Sequence, residues 1–397
     1  MKSELLLIDN IFEEVRDRVV YIKFKHLAMS EYKPEIDLYL RGLILEYGLK
    51  EPIYIYSKKS GLEVSDGYNR LMCLKDIIPN IDEVEIPCIM TTEKNINIDV
   101  KKRQKELYKM DLDKFRGGRA IPDLEVIELY NEVFDVSHVL TKDDKYDFIS
   151  LFDNHIQSSK LNQLIGLDDF QHKTFTAGTS QSFDSFWMKY HDRRFRCFEG
   201  EFFYHKANWK KFHNWSYLDY DKIKKGDAVI ISLPFSDYCT EHPKMKSTLS
   251  QCSLLDVPVL IDCAYYGIAS GVDFDLSKYD CIKEVTFSLS KTFYNANRLR
   301  AGIRYAKDFA DDNIDIMNEW GQINHISTYI GKRLLEAFEP DYTFNKFRKK
   351  QEEYCKLHNL KPTDCVSFAF GGDEYSGLNR GADVNRLCIA DQIGDKV

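Results

Sequence analysis

A chain of 397 residues is too long for one ordinary hydrophobic core and predicts two or more domains. Apolar side chains make up 44% of it, enough to fill several cores, yet no run approaches the ~18 uninterrupted apolar residues of a membrane span and the first residues lack a signal-peptide core. A formal charge of −8 leaves no whole-chain electrostatic footprint for nucleic acid, and ten scattered cysteines without a Cys-x-x-Cys pair predict buried thiols in a cytoplasmic protein, with no disulfide framework and no metal site.

Residues 1–105 read as a self-contained α+β domain. Strands are expected over 5–8 and 19–22, then a helix over 36–46 that stops at Gly48, strands over 52–56 and 62–65, a helix opening at 66–70, and a strand over 84–90. Residues 1–100 carry 13 Lys and Arg against 18 Asp and Glu, which disfavours a grip on nucleic acid through phosphate neutralisation and favours a small ligand. The segment Gly48-Leu49-Lys50-Glu51-Pro52-Ile53, a hairpin, and then Asp66-Gly67-Tyr68-Asn69-Arg70 opening a helix resemble the ParB/sulfiredoxin superfamily. That resemblance implies an anion or nucleotide site, for ATP or ADP, at Asp66, Gly67 and Arg70, with Glu31 or Glu35 as the acid of a kinase-like member. Tyr68 stands where the superfamily commonly has histidine, so a docking module without catalysis is the alternative.

Residues 106–169 are charged and helix-prone and read as a helical connector. Helices are expected over 100–112, 124–133 and 143–165, with breaks at Gly117, Gly118, Pro122 and Gly166. The basic run 101–109 reads as a solvated helix face.

From residue 170 the pattern changes to short apolar strands that end in polar residues, as in a parallel sheet covered on both faces. Gly178-Thr179-Ser180 is a turn before a helix, a phosphate signal when it follows a strand. One ring of 198–204, with Phe203 as the candidate, can cover a flat ligand; the strand over 227–234 leads to Ser236 and Asp237. The strand over 257–261 ends at Asp262 with Tyr265 close behind, and the strand over 284–287 ends at Ser288, then Lys291 and Arg300. Singly these read as a cap, a solvated charge and a core aromatic. Their order resembles the aspartate aminotransferase superfamily, the fold type I pyridoxal phosphate enzymes.

By that resemblance Lys291 is the Schiff-base lysine, Asp262 the partner of the pyridine nitrogen and Tyr265 the partner of the ring phenolate. Gly178, Thr179, Ser180, Ser288 and Arg300 bind the phosphate, with Arg298 competing for the arginine role, and Ser236 or Asp237 stands where the superfamily has an asparagine. Arg386 takes the substrate carboxylate, with Arg380 its competitor. The implied fold is a three-layer α/β/α large domain over 170–309 with a mixed, mostly parallel sheet, followed by a small α+β domain over 310–397. The implied function is a homodimeric, pyridoxal phosphate-dependent aminotransferase acting on an amino acid or amine. A lyase or decarboxylase acting on a phosphorylated amino acid, and a non-catalytic regulatory protein, stay open.

Overall fold

The computed structural model describes residues 4–11, 13–28, 36–58, 61–91, 112–133, 135–206 and 214–396. They divide into two units, one drawn from residues 1–111 with 356–359, the other from 112–355 with 360–397.

In the first unit, strands β1 (Val20–Lys23), β2 (Leu27–Ala28), β3 (Ile53–Lys58), β4 (Gly61–Asp66) and β5 (Glu85–Met90) form one sheet in the order β1-β5-β3-β4-β2. The helices Leu38–Tyr47 and Tyr68–Ile77 contribute Leu40, Ile44, Leu71 and Leu74 to a core with Ile53, Ile55, Val64 and Ile86. Asp37 caps the first helix by accepting from the Leu40 N–H at 3.0 Å, and Gly48 ends it at φ 72°. Residues 5–8, expected as a strand, instead form parts of two short 3-10 turns, Glu4–Leu6 and Ile8–Asn10; Leu5 and Leu6 are buried without any strand pairing. Their apolar run was ambiguous because burial alone does not choose between extended and helical backbone. The expected helix over 100–112 lies outside the described residues but for its last position.

The second unit is built on a seven-stranded sheet. Besides β6 (Gln163–Ile165) and β12 (Asp273–Asp275), which pair with each other, the strands in chain order are β7 (His172–Thr176), β8 (Arg194–Cys197), β9 (Trp215–Tyr217), β10 (Asp227–Ser232), β11 (Val259–Asp262), β13 (Ile282–Ser288) and β14 (Gly302–Ala306). Their order is β7-β14-β13-β11-β10-β8-β9, with β14 antiparallel to both neighbours and every other pairing parallel. Each residue of β10, β11 and β14 is buried, including Asp227 and Arg304, as expected of strands covered on both faces. Alternation along β13 serves both faces: Thr286 meets Ser182 of the Thr179–Lys189 helix at 2.8 Å, while Phe287 packs edge-on to Tyr266 and Tyr305.

The helix Lys145–Gln157 sets Phe148 against Phe175 of β7, so this part of the expected connector is packed on the sheet. It ends eight residues short of the expected stop, because 163–165 are drawn off into β6. Two buried ion-pair groups brace the sheet: Arg196 of β8 with Asp227 of β10 at 2.6 Å, and Arg304 of β14 with Asp315 at 2.7 Å and Asp312 at 2.5 Å, in and at the start of the helix Asn313–Glu319. At the carboxyl end β15 (Lys361–Pro362), β16 (Phe368–Gly371) and β17 (Asn385–Cys388) form a small antiparallel sheet, where Phe370 faces Arg386 in register. Among the described residues no helix is long and apolar enough to cross a membrane, no group of three or more acids, His and Cys is placed to hold a metal, and all ten cysteines are buried free thiols.

Candidate active site

Parallel strands carry their carboxyl ends to one edge of the sheet, and there β10 ends at Ser232, β11 at Asp262 and β13 at Ser288, with Ser232 and Asp262 in register. Asp262 is buried and accepts from the Ala264 N–H at 3.0 Å. Burial, and after it the charge of Glu201, pushes its carboxyl up to about 8 against the pull of the Ala264 N–H, Ser232 and Lys291. Lys291, three residues past β13, donates to the Gly118 carbonyl at 2.5 Å; among the described residues it has no carboxylate partner. Thr179, Phe203, Ser236, Asp262, Tyr265, Lys291 and Arg386 all line one cavity of about 140 Å³. Seven residues singled out from sequence, spread over more than 200 positions, thus converge.

A second corner adjoins it. Gly178 takes φ +77°, a backbone that favours glycine, and a Cβ there would lie 3.0 Å from the Arg300 guanidinium. Arg300 donates to the Ser180 hydroxyl, and Thr179 opens an 11-residue helix whose first N–H groups have no intrahelical acceptor. Arg300, rather than Arg298, is the arginine that reaches this turn; Arg298 is exposed on the short helix Ala296–Leu299. Ser288 is not brought into the group: its hydroxyl bonds the Ser290 hydroxyl at 2.8 Å and lies 3.3 Å from the Ala301 carbonyl, beside a smaller cavity with His155 and Thr292.

Arg386 is buried, with Nη1 donating to the Ser236 carbonyl at 2.6 Å, Nη2 to the Gly117 carbonyl at 2.7 Å, and its plane 4.2 Å over Phe368. The Tyr265 hydroxyl lies 3.4 Å from Nη1, and the buried Nε has no acceptor among the described residues. Arg380, the competitor, is committed to Asp237 and, at 2.9 Å, to the Ser236 hydroxyl. The aromatic candidate, Phe203, is 70% exposed at the cavity mouth, next to Phe202.

Three contributors had gone unread. Gly117 and Gly118 cross the site and give their carbonyls to Arg386 and Lys291; a Cβ on Gly118 would lie 2.6 Å from the Tyr265 hydroxyl. The paired glycines were the available signal, read only as a helix break. Glu201 reaches Ser232 from the 198–204 segment, and nothing local in the sequence marks it.

In the first unit Arg70 does not present its fork to an anion as expected. It is 1% exposed and its nitrogens go to Glu51 at 3.0 Å, the Pro52 carbonyl at 3.1 Å and Asp66. Two carboxylates already satisfy the charge that an incoming phosphate would need. Gly67 precedes the Tyr68–Ile77 helix at φ 107°, and Glu31 and Glu35 lie outside the described residues.

No family model and no curated protein matches the sequence. Solved structures do match by shape. An aromatic aminotransferase from Pyrococcus horikoshii aligns with a TM-score of 0.53 at 13% identity, over 72% of this chain and 93% of its own. Tyrosine aminotransferase from Leishmania infantum gives 0.50 at 14% identity over 76% and 96%, and alanine aminotransferase from Pyrococcus furiosus 0.50 at 16% over 74% and 92%. The mixed, mostly parallel α/β architecture is thus the aminotransferase fold.

Proposed function

We propose that the second unit is a pyridoxal phosphate-dependent enzyme of the aminotransferase kind, acting on an amino acid or related amine. One observation carries the reading: a lysine amine held, among the described residues, only by a carbonyl, a buried acid on the neighbouring strand end and a buried arginine with no carboxylate partner among those residues face one cavity. The residues fit a phosphorylated pyridoxal, because Gly178 leaves beside Arg300 and Ser180 a cradle that a Cβ would fill, and among the described residues the Arg386 Nε is left without an acceptor. When bound, the cofactor supplies an electron sink for a bond broken at Cα.

The chain's residues then have separate tasks. Lys291 would hold the cofactor, and its amine would be the group that moves a proton at the substrate Cα. Asp262 holds the proton at the ring nitrogen, and Tyr265 donates to the ring oxygen. Gly178, Thr179, Ser180 and Arg300 take the phosphate, and Phe203 covers the ring. Arg386 exchanges the Gly117 carbonyl for a substrate carboxylate, a charged acceptor that its fork binds more strongly. A homodimer belongs to the same reading, since Phe203 stays exposed at a mouth that a second copy can cover.

Amino acids paired with 2-oxo acid acceptors, in the presence of pyridoxal phosphate, test the proposal. Amino transfer and a cofactor absorbance band, both lost in Lys291→Ala, are expected; the absence of any band in the wild type overturns it. For the first unit, the filled fork of Arg70 favours the docking alternative over nucleotide-dependent phosphotransfer. Titration of the full chain with ATP or ADP checks this: no saturable binding is expected, and tight binding would restore the nucleotide reading.

A further inference from the structure

Glu201 enters the site from the 198–204 segment and is 7% exposed. Its carboxylate accepts from the Ser232 N–H at 2.7 Å, the Ser232 hydroxyl at 2.6 Å and the Phe202 N–H at 3.3 Å. Ser232 stands beside Asp262 in the β10–β11 register. A serine hydroxyl has one proton; given to Glu201, it leaves Asp262 only a lone pair, so Asp262 bonds Ser232 best when it keeps a proton of its own. Ser232 is thus bonded to Glu201 by backbone and side chain and neighbours Asp262 across the β10–β11 register.

Ordinary structural acids in this chain are paired with a cation, as Asp227 is with Arg196. Glu201 is not: Arg380, the cation that faces it, is already committed to Asp237. Lys291 faces Asp262, and the flanking thiols of Cys197 and Cys263 are held protonated by burial and add no charge. Burial pushes Glu201 up to about 7, against the pull of its Ser232 bonds, in the same range as Asp262. The charge of Glu201 opposes ionisation of Asp262, which favours a single proton held by the pair.

We propose that Glu201 is a positioning residue that shares one proton with Asp262 through the Ser232 hydroxyl and thereby raises the proton affinity of the ring nitrogen that Asp262 faces; the ring nitrogen rests on the function proposed above. The balance is simple. Before the cofactor binds, Asp262 holds the proton and Glu201 the negative charge. On binding, Asp262 passes that proton to the nitrogen, so two carboxylates stand by one cation and the nitrogen keeps its proton to higher pH.

Infrared difference spectra of the cofactor-free protein between pH 5 and 9 test the sharing without any cofactor. One carboxyl is expected to stay protonated through neutral pH in the wild type. In Glu201→Gln, Asp262 should release its proton at least one pH unit lower, about tenfold in proton affinity, and Glu201→Asp should return most of the shift. With 15N-labelled pyridoxal phosphate bound, the ring-nitrogen resonance should titrate lower by a similar amount in Glu201→Gln. An unchanged titration in that variant overturns the proposal even where the cofactor binds. A cofactor that fails to bind, with the infrared shift present, overturns the functional reading and leaves the shared proton standing. Should Glu201→Gln not fold, Glu201→Ala carries the test: the same fall in the Asp262 titration supports the proposal and an unchanged titration overturns it.

Discussion

Both units bury an arginine that sequence reading had assigned to an anion, and the two have opposite surroundings. Arg70 in the first unit is closed off by Glu51 and Asp66, whereas Arg386 in the second has carbonyls, a phenol and a phenyl face but no carboxylate among the described residues. The other two buried arginines side with Arg70, since Arg196 and Arg304 are each paired with acids. A buried guanidinium with its charge matched holds a fold together; one left unmatched is prepared for a charge that arrives from outside. Lys291 extends the contrast, for it donates to a carbonyl and makes no ion pair among the described residues.

The largest effect should come from the acid opposite Lys291. Asp262→Ala is expected to fold and to bind the cofactor, yet to lose kcat by a factor of roughly 1,000 or more, about 4 kcal/mol of barrier. Near wild-type turnover in single-turnover kinetics would reduce Asp262 to a strand cap. Next, the arginines can be exchanged for methionine in turn. Arg70→Met leaves Glu51 buried without its cation and should destabilise the protein by roughly 3–5 kcal/mol, read as a lower Tm, with kcat per folded molecule unchanged. Arg386→Met orphans no acid; it should leave Tm nearly as it was while kcat/KM for amino acids falls roughly 100-fold, and the loss should be far smaller for amines that lack a carboxylate. If both variants behaved alike, the distinction between matched and unmatched arginines would carry no functional meaning.

These contrasts also show what a sequence makes legible. Asp262, Ser288 and Lys291 stood out because strands buried on both faces announce their ends, and Gly178 because a Gly-Thr-Ser turn between a strand and a helix is a phosphate signal. Arg300 could be preferred to Arg298 because β14 follows it directly. By contrast, Arg70 and Arg386 look alike in sequence; what separates them is which acids the fold brings near, and that depends on partners 19 and 4 residues away for one and 150 and 269 residues away for the other. Glu201 was hidden for the same reason, 31 residues from the serine it bonds.

The smallest effect is a pH dependence. Glu201 and Asp262 both have folded-state proton affinities above the ordinary carboxylate range, so the folded chain binds more protons than the unfolded one between that range and their titration at about 7 and about 8. Their contribution to stability is therefore full at low pH and is lost as pH rises through those values. Between pH 6.5 and 8.5 the cofactor-free wild type should lose about 1–2 kcal/mol more than Glu201→Gln, as measured by urea unfolding at each pH; buried thiols common to both cancel in the comparison. Equal losses would show that the pair does not share a proton.

The central claim, that Lys291 carries the cofactor, has a direct measurement. The full chain is incubated with pyridoxal phosphate, reduced with borohydride and digested, and the modified peptide is sequenced by mass spectrometry. A single phosphopyridoxyl group on Lys291, absent from Lys291→Ala, is the predicted result. A wild-type chain that takes no label, or one labelled at surface lysines with Lys291 untouched, would contradict it.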